Sequence, residues 1–310
     1  MKKYVFGIDI GGTSVKCGWF TVKGELLEKW EIPTRTENNG AAILPDVAET
    51  VLKKISEKNL DKEEVAGIGI GVPGPVNDKG VVLKAVNLGW GIMDVNEILG
   101  GLTGLAVQAG NDANVAALGE MWRGGGQGFQ NMVLVTLGTG VGGGVILGGR
   151  ILTGATGAAG EIGHIHIEDK EADTCGCGNH GCLEQYASAT GIVRLAKRRL
   201  DADNKDSVLR QGEVSAKTVF DAVKAGDEVA CEIAEQFGQY LGKGLAAIAA
   251  VVNPEAFVIG GGVSKAGDIL CQYITKYYEK YAFHGCKNAQ FKLATLGNDA
   301  GIYGAAKLVL

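Results

Sequence analysis

Apolar and polar positions change period several times along the 310 residues, and the changes outline the elements. Tyr4–Ile10 is apolar almost throughout and leads into Asp9-Ile10-Gly11-Gly12-Thr13. Residues 15–22 then alternate, and after Lys23-Gly24 so do residues 26–32, which predicts a meander of strands with a Gly-rich first turn. Residues 42–58 carry the spacing of an amphipathic helix. Val65–Val72 reads as a buried strand ended by Pro73-Gly74-Pro75, residues 105–109 as a further strand, and Asn111-Asp112-Ala113-Asn114 as the start of a helix running to Trp122. The opening pattern then returns: strand Met132–Leu137, turn Gly138-Thr139-Gly140, strand Val141–Leu147, turn Gly148-Gly149 and a strand starting at Arg150. Two copies of one strand–turn–strand unit predict two similar α/β domains facing each other. Helices are expected at 183–200, 215–225 and 227–252, a strand at 257–259 running into Gly260-Gly261-Gly262, a helix from Ser264 and a strand at 291–296. A short helix at 300–310 is expected to pack back on the first domain.

Composition narrows this outline. Gly is frequent (50) and Pro rare (5), and the glycines cluster beside apolar runs, which excludes collagen-like and disordered readings and suggests backbone approaching a ligand closely. A net charge of -5 without a dominant basic stretch argues against nucleic acid as the main partner. The opening MKKYVFGIDIGG resembles a signal peptide only superficially, because Asp9 and a glycine pair break its apolar run and no small-residue cleavage site follows, so none is expected. The apolar stretch from Leu245 is too short to span a bilayer, so a soluble cytoplasmic protein with no membrane partner is expected. Of seven cysteines, Cys17, Cys231, Cys271 and Cys286 are scattered like small core residues, whereas Cys175, Cys177 and Cys182 crowd together.

Five groups of residues carry candidate chemistry. The two Gly/Thr turns, Gly11-Gly12-Thr13 and Gly138-Thr139-Gly140, can aim backbone N–H groups at a polyphosphate, with Asp9 placed to hold Mg²⁺ through water; plain hairpin turns are the alternative. Asp112 can serve as a general base with Asn111 orienting the substrate; local sequence alone favours a helix N-cap for Asp112, and the two roles are not exclusive. His164 and His166 precede Cys175-Gly-Cys177-Gly-Asn-His180-Gly-Cys182; three thiolates and one imidazole make a closed tetrahedral zinc site, with either histidine open as the fourth ligand. Glu161 and His164, with Glu184 two residues past Cys182, are candidates to hydrogen-bond sugar hydroxyls, although by themselves they are only polar residues near glycines. Gly260-Gly261-Gly262 can lie flat against adenine or ribose, or simply turn a strand into a helix.

Together the runs DIGGT, GVPGP, NDANVAALGE, TLGTGVGGGVILGGRI, GAAGEIGH, CGCGNHGCLE and VIGGGVS resemble the ROK family, in family order and over nearly the whole chain. The resemblance implies a two-lobed ribonuclease H-like α/β fold of the actin/hexokinase type, with a cleft between duplicated domains. The expected division is a small lobe at 1–115, joined by the helix at 298–310, and a large lobe at 116–297 carrying the zinc loop. It implies an ATP- and Mg²⁺-dependent sugar kinase with a structural Zn²⁺, acting on the C6 hydroxyl of glucose; kinases for N-acetylmannosamine, N-acetylglucosamine or fructose and a non-catalytic sugar-binding regulator are the rivals. Asp9, Gly11, Gly12 and Thr13 match the first phosphate motif, Gly138, Thr139 and Gly140 the second, and Gly260, Gly261 and Gly262 the adenosine motif. Asp112 matches the catalytic base and itself touches the sugar with Asn87, Asn111, Glu161, His164 and Glu184. His164, Cys175, Cys177 and Cys182 match the zinc ligands, although the His164-to-Cys175 spacing is one residue longer than the family pattern and lets His166 compete. Family repressors carry a DNA-binding segment ahead of DIGGT, where this chain has eight residues before Asp9, so a repressor is not expected. Homodimers are usual in the family. ATP and polyphosphate both remain open as donor.

Overall fold

The structure, a computed structural model, describes residues 1–310 as two compact units. The first contains Met1–Gln130, Gly144–Gly160 and Leu296–Leu310; the second contains Asn131–Gly143 and Glu161–Thr295.

In chain order the first unit runs β1 (Tyr4–Ile10), β2 (Ser14–Thr21), β3 (Leu26–Pro33), the single turn α1 (Glu37–Gly40), α2 (Ile43–Glu57) and β4 (Val65–Val72). It continues through β5 (Val81–Val82), β6 (Met93–Asp94), α3 (Val95–Thr103), β7 (Val107–Asn111) and α4 (Asp112–Arg123). Its main sheet has the order β3-β2-β1-β4-β7, with an antiparallel β1–β2–β3 meander and β4 and β7 added in parallel. β1 is apolar except for Asp9 because both its faces are covered: Phe6, Ile8 and Ile10 join a core with α2 and α3 through Val47, Val51 and Leu99, while Val5 packs with Phe20, Ile302 and Ala306.

β8 (Met132–Leu137) opens the second unit, and β9 (Val141–Leu147) carries the chain back into the first, where it pairs with β10 (Arg150–Ile151). The second unit then holds α5 (Glu184–Ala187), α6 (Ala189–Ala202), α7 (Ala216–Lys224), α8 (Glu228–Val252), β11 (Ala256–Gly260), α9 (Asp268–Tyr281) and β12 (Gln290–Leu293). The second sheet has the order β10-β9-β8-β11-β12, with β11 parallel to both β8 and β12. That is the layout of the first sheet again, so the repeated strand–turn–strand pattern is a true duplication of topology. α8 supplies much of the core through Phe237, Leu241 and Leu245; Asp227 caps its start by accepting from the Ala230 N–H, and Asn253 in the left-handed region (φ 43°) ends it.

The closing helix α10 (Ala300–Leu308) returns to the first unit and packs on β1, β4 and α4 at backbone distance. A Cβ added at Gly7 would overlap the Ile302 carbonyl, one at Gly69 the Ala305 carbonyl and one at Gly119 the Ala300 carbonyl. These glycines serve helix packing, not the close approach of a ligand that their clustering suggests. By contrast a Cβ at Gly12, Gly138 or Gly262 meets nothing within 4 Å, which leaves those turns clear.

Several boundaries differ from the sequence pattern. The helix expected at 183–200 breaks at Ser188, which is extended (φ -85°, ψ 172°) and caps α6 by accepting from the Gly191 N–H. The helix expected from Ser264 is a short 3₁₀ turn, Gly262–Ala266, and α9 starts only after Gly267 at φ 80°. The strand expected at 105–109 lies at Val107–Asn111, and the one at 291–296 ends at Leu293. α3 and the β5–β6 pair have no counterpart in the sequence pattern. The division expected at residue 115 falls inside α4, whose packing against α10 keeps the chain in the first unit as far as Gln130.

Candidate functional site

In the first unit the Gly11–Thr13 turn is closed by Gly11 N–H donating to the Ser14 carbonyl (2.9 Å), and the Thr34 hydroxyl donates to the Gly11 carbonyl (2.7 Å). Asp9, the penultimate residue of β1, lies beside it. Burial, with the nearby Asp112 carboxylate adding to it, pushes the Asp9 carboxyl up to about 6 against the opposing pull of Lys16. Lys16 faces Asp9 across the β1–β2 pair. It was not singled out in the sequence, although a lysine two residues past a strand-turning Gly-Gly-Thr-Ser was the available signal. Gly301 of α10 leaves room for Asp9, since a Cβ there would overlap its carboxylate.

Asn111, not Asp112, is the N-cap of α4: its Oδ1 accepts from the Asn114 N–H (3.1 Å). Its Nδ2 donates to the Gly74 carbonyl and to Asp112 Oδ1, both at 3.0 Å, and the Ala113 N–H donates to the same Asp112 oxygen at 2.8 Å. Asp112 is therefore oriented by its neighbour and released from the capping task. Asn87 is exposed on the 3₁₀ turn Val86–Leu88, which Gly89 closes at φ 74°.

In the second unit the Gly138–Gly140 turn is joined to the start of α6: the Ala189 N–H donates to the Gly138 carbonyl (2.8 Å) and the Thr190 hydroxyl to the Thr139 carbonyl (2.7 Å). Gly260 is buried at the end of β11, and Gly261 (φ 82°) has no room for a side chain against the Leu137 backbone. Gly262 lines a cavity of about 390 Å³ with Val263, Ala266, Ala189, Ala216 and Phe220. The contribution of α7 to that cavity was not legible, because Lys217, Asp221 and Lys224 line it together with Ala216 and Phe220, a mixture that reads as the border of any amphipathic helix.

The third group gathers around the cysteines. The ligand atoms of His164, Cys175, Cys177 and Cys182 all lie within 4.8 Å of one another. Cys177 and Cys182 Sγ are 3.6 Å apart, and Cys175 Sγ is 3.8 Å from His164 Nδ1. A tetrahedron with metal–sulfur bonds of about 2.3 Å has edges of about 3.8 Å, so the four groups fit zinc in dimension as well as in donor type. His166 lies outside the cluster, its ring nitrogens engaged by the His180 carbonyl (2.9 Å) and Asp169 (2.8 Å). His164 Nε2 points the other way, 3.9 Å from the exposed Glu161 carboxylate. Glu184 accepts from the Cys175 thiol (2.9 Å), lies 3.7 Å from His164 Nδ1 and comes so near Gly140 that a Cβ there would crowd its carboxylate. Glu161, His164 and Glu184 thus form one cluster in the second unit, and Asp9, Asn111 and Asp112 another in the first.

The chain is similar to known proteins over nearly its whole length. Residues 5–310 match the model of the ROK family. The glucokinase of Halalkalibacterium halodurans is 45% identical over 99% of this chain and 95% of its own length. The crystal structure of a ROK family glucokinase from Streptomyces griseus in complex with glucose and AMPPNP superposes with a TM-score of 0.73 at 35% identity, covering 98% of each chain. The ROK hexokinase of Thermus thermophilus superposes with a TM-score of 0.80 at 34% identity over 99% of this chain and 97% of its own. With the family pattern matched from the first strand to the last helix, and with the sheet topology repeated as that fold requires, the chain belongs to the ROK family.

Proposed function

We propose that this protein is a glucokinase, transferring the terminal phosphate of ATP to the C6 hydroxyl of glucose with Asp112 as general base. The observation that carries the reading is the full-length likeness to glucokinases. Asp112 takes the hydroxyl proton as the oxygen attacks phosphorus, in an orientation held by Asn111 and the Ala113 N–H. Asn87, Asn111 and Asp112 in the first unit, and Glu161, His164 and Glu184 in the second, bind sugar hydroxyls. Backbone N–H groups of Gly12 and Thr13 in one turn and of Thr139 and Gly140 in the other hold the phosphate oxygens, the Gly11 and Gly138 N–H groups being spent on closing the turns, and the cavity at Gly262 takes the adenosine. Mg²⁺ carried with the nucleotide would supply positive charge near Asp9, a buried carboxyl whose ionisation is otherwise costly.

Zinc would be held by His164 Nδ1, Cys175, Cys177 and Cys182 and would fix the loop, a structural rather than catalytic task. His164 then keeps Nε2 for the sugar side, so one ring serves both ligands. A cytoplasmic homodimer completes the reading; no helix is long and apolar enough to cross a membrane.

A panel of glucose, 2-deoxyglucose, N-acetylmannosamine, N-acetylglucosamine and fructose in a coupled ADP-release assay tests the proposal. Glucose is expected to give the highest kcat/KM, because a site built to bond a hydroxyl rejects the sugar that lacks it. An N-acetyl sugar ahead of glucose would keep the kinase and overturn the substrate; no ADP release with any sugar would overturn both.

A further inference from the structure

Glu171 has a side chain with no exposed surface, and no step above uses it. Its carboxylate accepts four hydrogen bonds: from Arg198 Nη1 (3.1 Å) and Nη2 (2.9 Å), from the Tyr186 hydroxyl (2.5 Å) and from the Asp173 N–H (3.0 Å). A buried carboxylate with this many donors is fixed in place, and so are its donors. Tyr186 belongs to α5, the single turn that Glu184 opens. Gln185, between them, accepts from the Cys182 N–H (3.0 Å) and donates to the Asp173 carbonyl (2.8 Å). The Tyr186 ring stacks on Tyr240 of α8 at 4.0 Å, and Arg198 belongs to α6. The segment 171–173 is thereby tied to two helices, α5 and α6, and α5 in turn to α8, and none of the side chains bonded to the segment is a candidate metal ligand. One helical turn cannot hold its own orientation, so the direction of Glu184 depends on what its two successors grip.

We propose that Glu171 is a positioning residue for sugar recognition: through Tyr186 and Arg198 it fixes the α5 turn so that Glu184 presents its carboxylate beside Gly140 and His164. The inference rests on the reading of Glu184 and His164 as sugar contacts. Displacements of about 1 Å at such contacts are enough to lower binding or rate markedly. Replacing the carboxylate by an amide leaves one acceptor oxygen for the four donors of Arg198, Tyr186 and Asp173 and sets an NH2 group against the others, which loosens the turn.

The test compares Glu171→Gln and Tyr186→Phe with wild type in glucose KM, ATP KM, kcat and zinc per chain, and in glucose affinity by calorimetry. Glu171→Gln should raise glucose KM and Kd about tenfold, with kcat and ATP KM within about twofold and zinc content unchanged. Tyr186→Phe, which keeps the Arg198 pair, should fall between. Wild-type glucose affinity in Glu171→Gln, or a joint loss of kcat, ATP KM and zinc, would overturn the inference, the second outcome marking a merely structural residue. Should Glu171→Gln not yield soluble protein, Tyr186→Phe decides alone: weaker glucose binding at unchanged kcat supports the role, and unchanged binding overturns it. Calorimetry reads the effect even where no hexose is turned over, so failure of the kinase reading and failure of this inference are separate results.

Discussion

Asp112 can lose its charge without unsettling its helix, because the cap is supplied by Asn111. Asp112→Asn is therefore a clean probe of chemistry: kcat should fall about 100-fold or more while glucose binding persists, and a variant with near wild-type kcat would end the assignment of the base. Asp9 offers a second probe, in which stability and function oppose each other. Its carboxyl, raised from 3.8 to about 6 by burial, binds its proton more tightly folded than unfolded. Its contribution is thus fully present below pH 4 and is lost as pH rises through 6. Asp9→Asn removes that loss, so the variant should melt a few degrees above wild type at pH 7 and converge with it near pH 4, while turnover drops. A melting point unchanged at pH 7 would contradict the cost assigned to Asp9. Glu171 has the opposite sign: Arg198 holds its carboxyl down at about 2 against the usual 4.5, so the stability it adds is present above pH 4.5 and disappears as acid approaches 2.

Helix α10 shows why some of the glycine pattern was misread. Gly7 and Gly69 sit inside strands, where glycine is normally a weakness, and their reason lies in a helix more than 200 residues further along the chain. Local sequence cannot carry that information. The same contact predicts that Gly69→Ala, the smallest change possible, destabilises by several kcal/mol, since the new methyl would overlap the Ala305 backbone rather than a yielding side chain. A denaturation midpoint within error of wild type would show that α10 can lift away at little cost. The break at Ser188 was hidden for a related reason: residues on both sides keep helical periodicity, and only the extended backbone of Ser188, whose hydroxyl caps α6 at the Gly191 N–H, separates the two helices. What the pattern did carry was spacing-driven chemistry. Three cysteines within eight residues, separated by glycines, can hardly do other than converge, and His164 was separated from His166 only once Asp169 and the His180 carbonyl were seen to engage the latter.

Across the whole molecule the duplication was legible because each copy repeats a strand–turn–strand pattern that local periodicity reports, and the unit boundaries were not, because they follow packing between distant segments. The chain passes from one unit to the other after Gln130, Gly143, Gly160 and Thr295. Expressed alone, Met1–Gln130 should lack a cooperative melting transition, since it carries the sheet and α4 but not the helix that covers them; a sharp transition would show that the layer is dispensable. The order of synthesis gives this a consequence in the cell. The strands of the first unit leave the ribosome first, yet the helix that seals Val5, Phe20 and the backbone of Gly69 follows only after the entire second unit has been translated. At about 5–20 residues per second, an apolar sheet face stays open for on the order of ten seconds or more, so the earliest part of the chain to appear is among the last to be sealed, and that interval is when a nascent-chain chaperone would have a surface to hold.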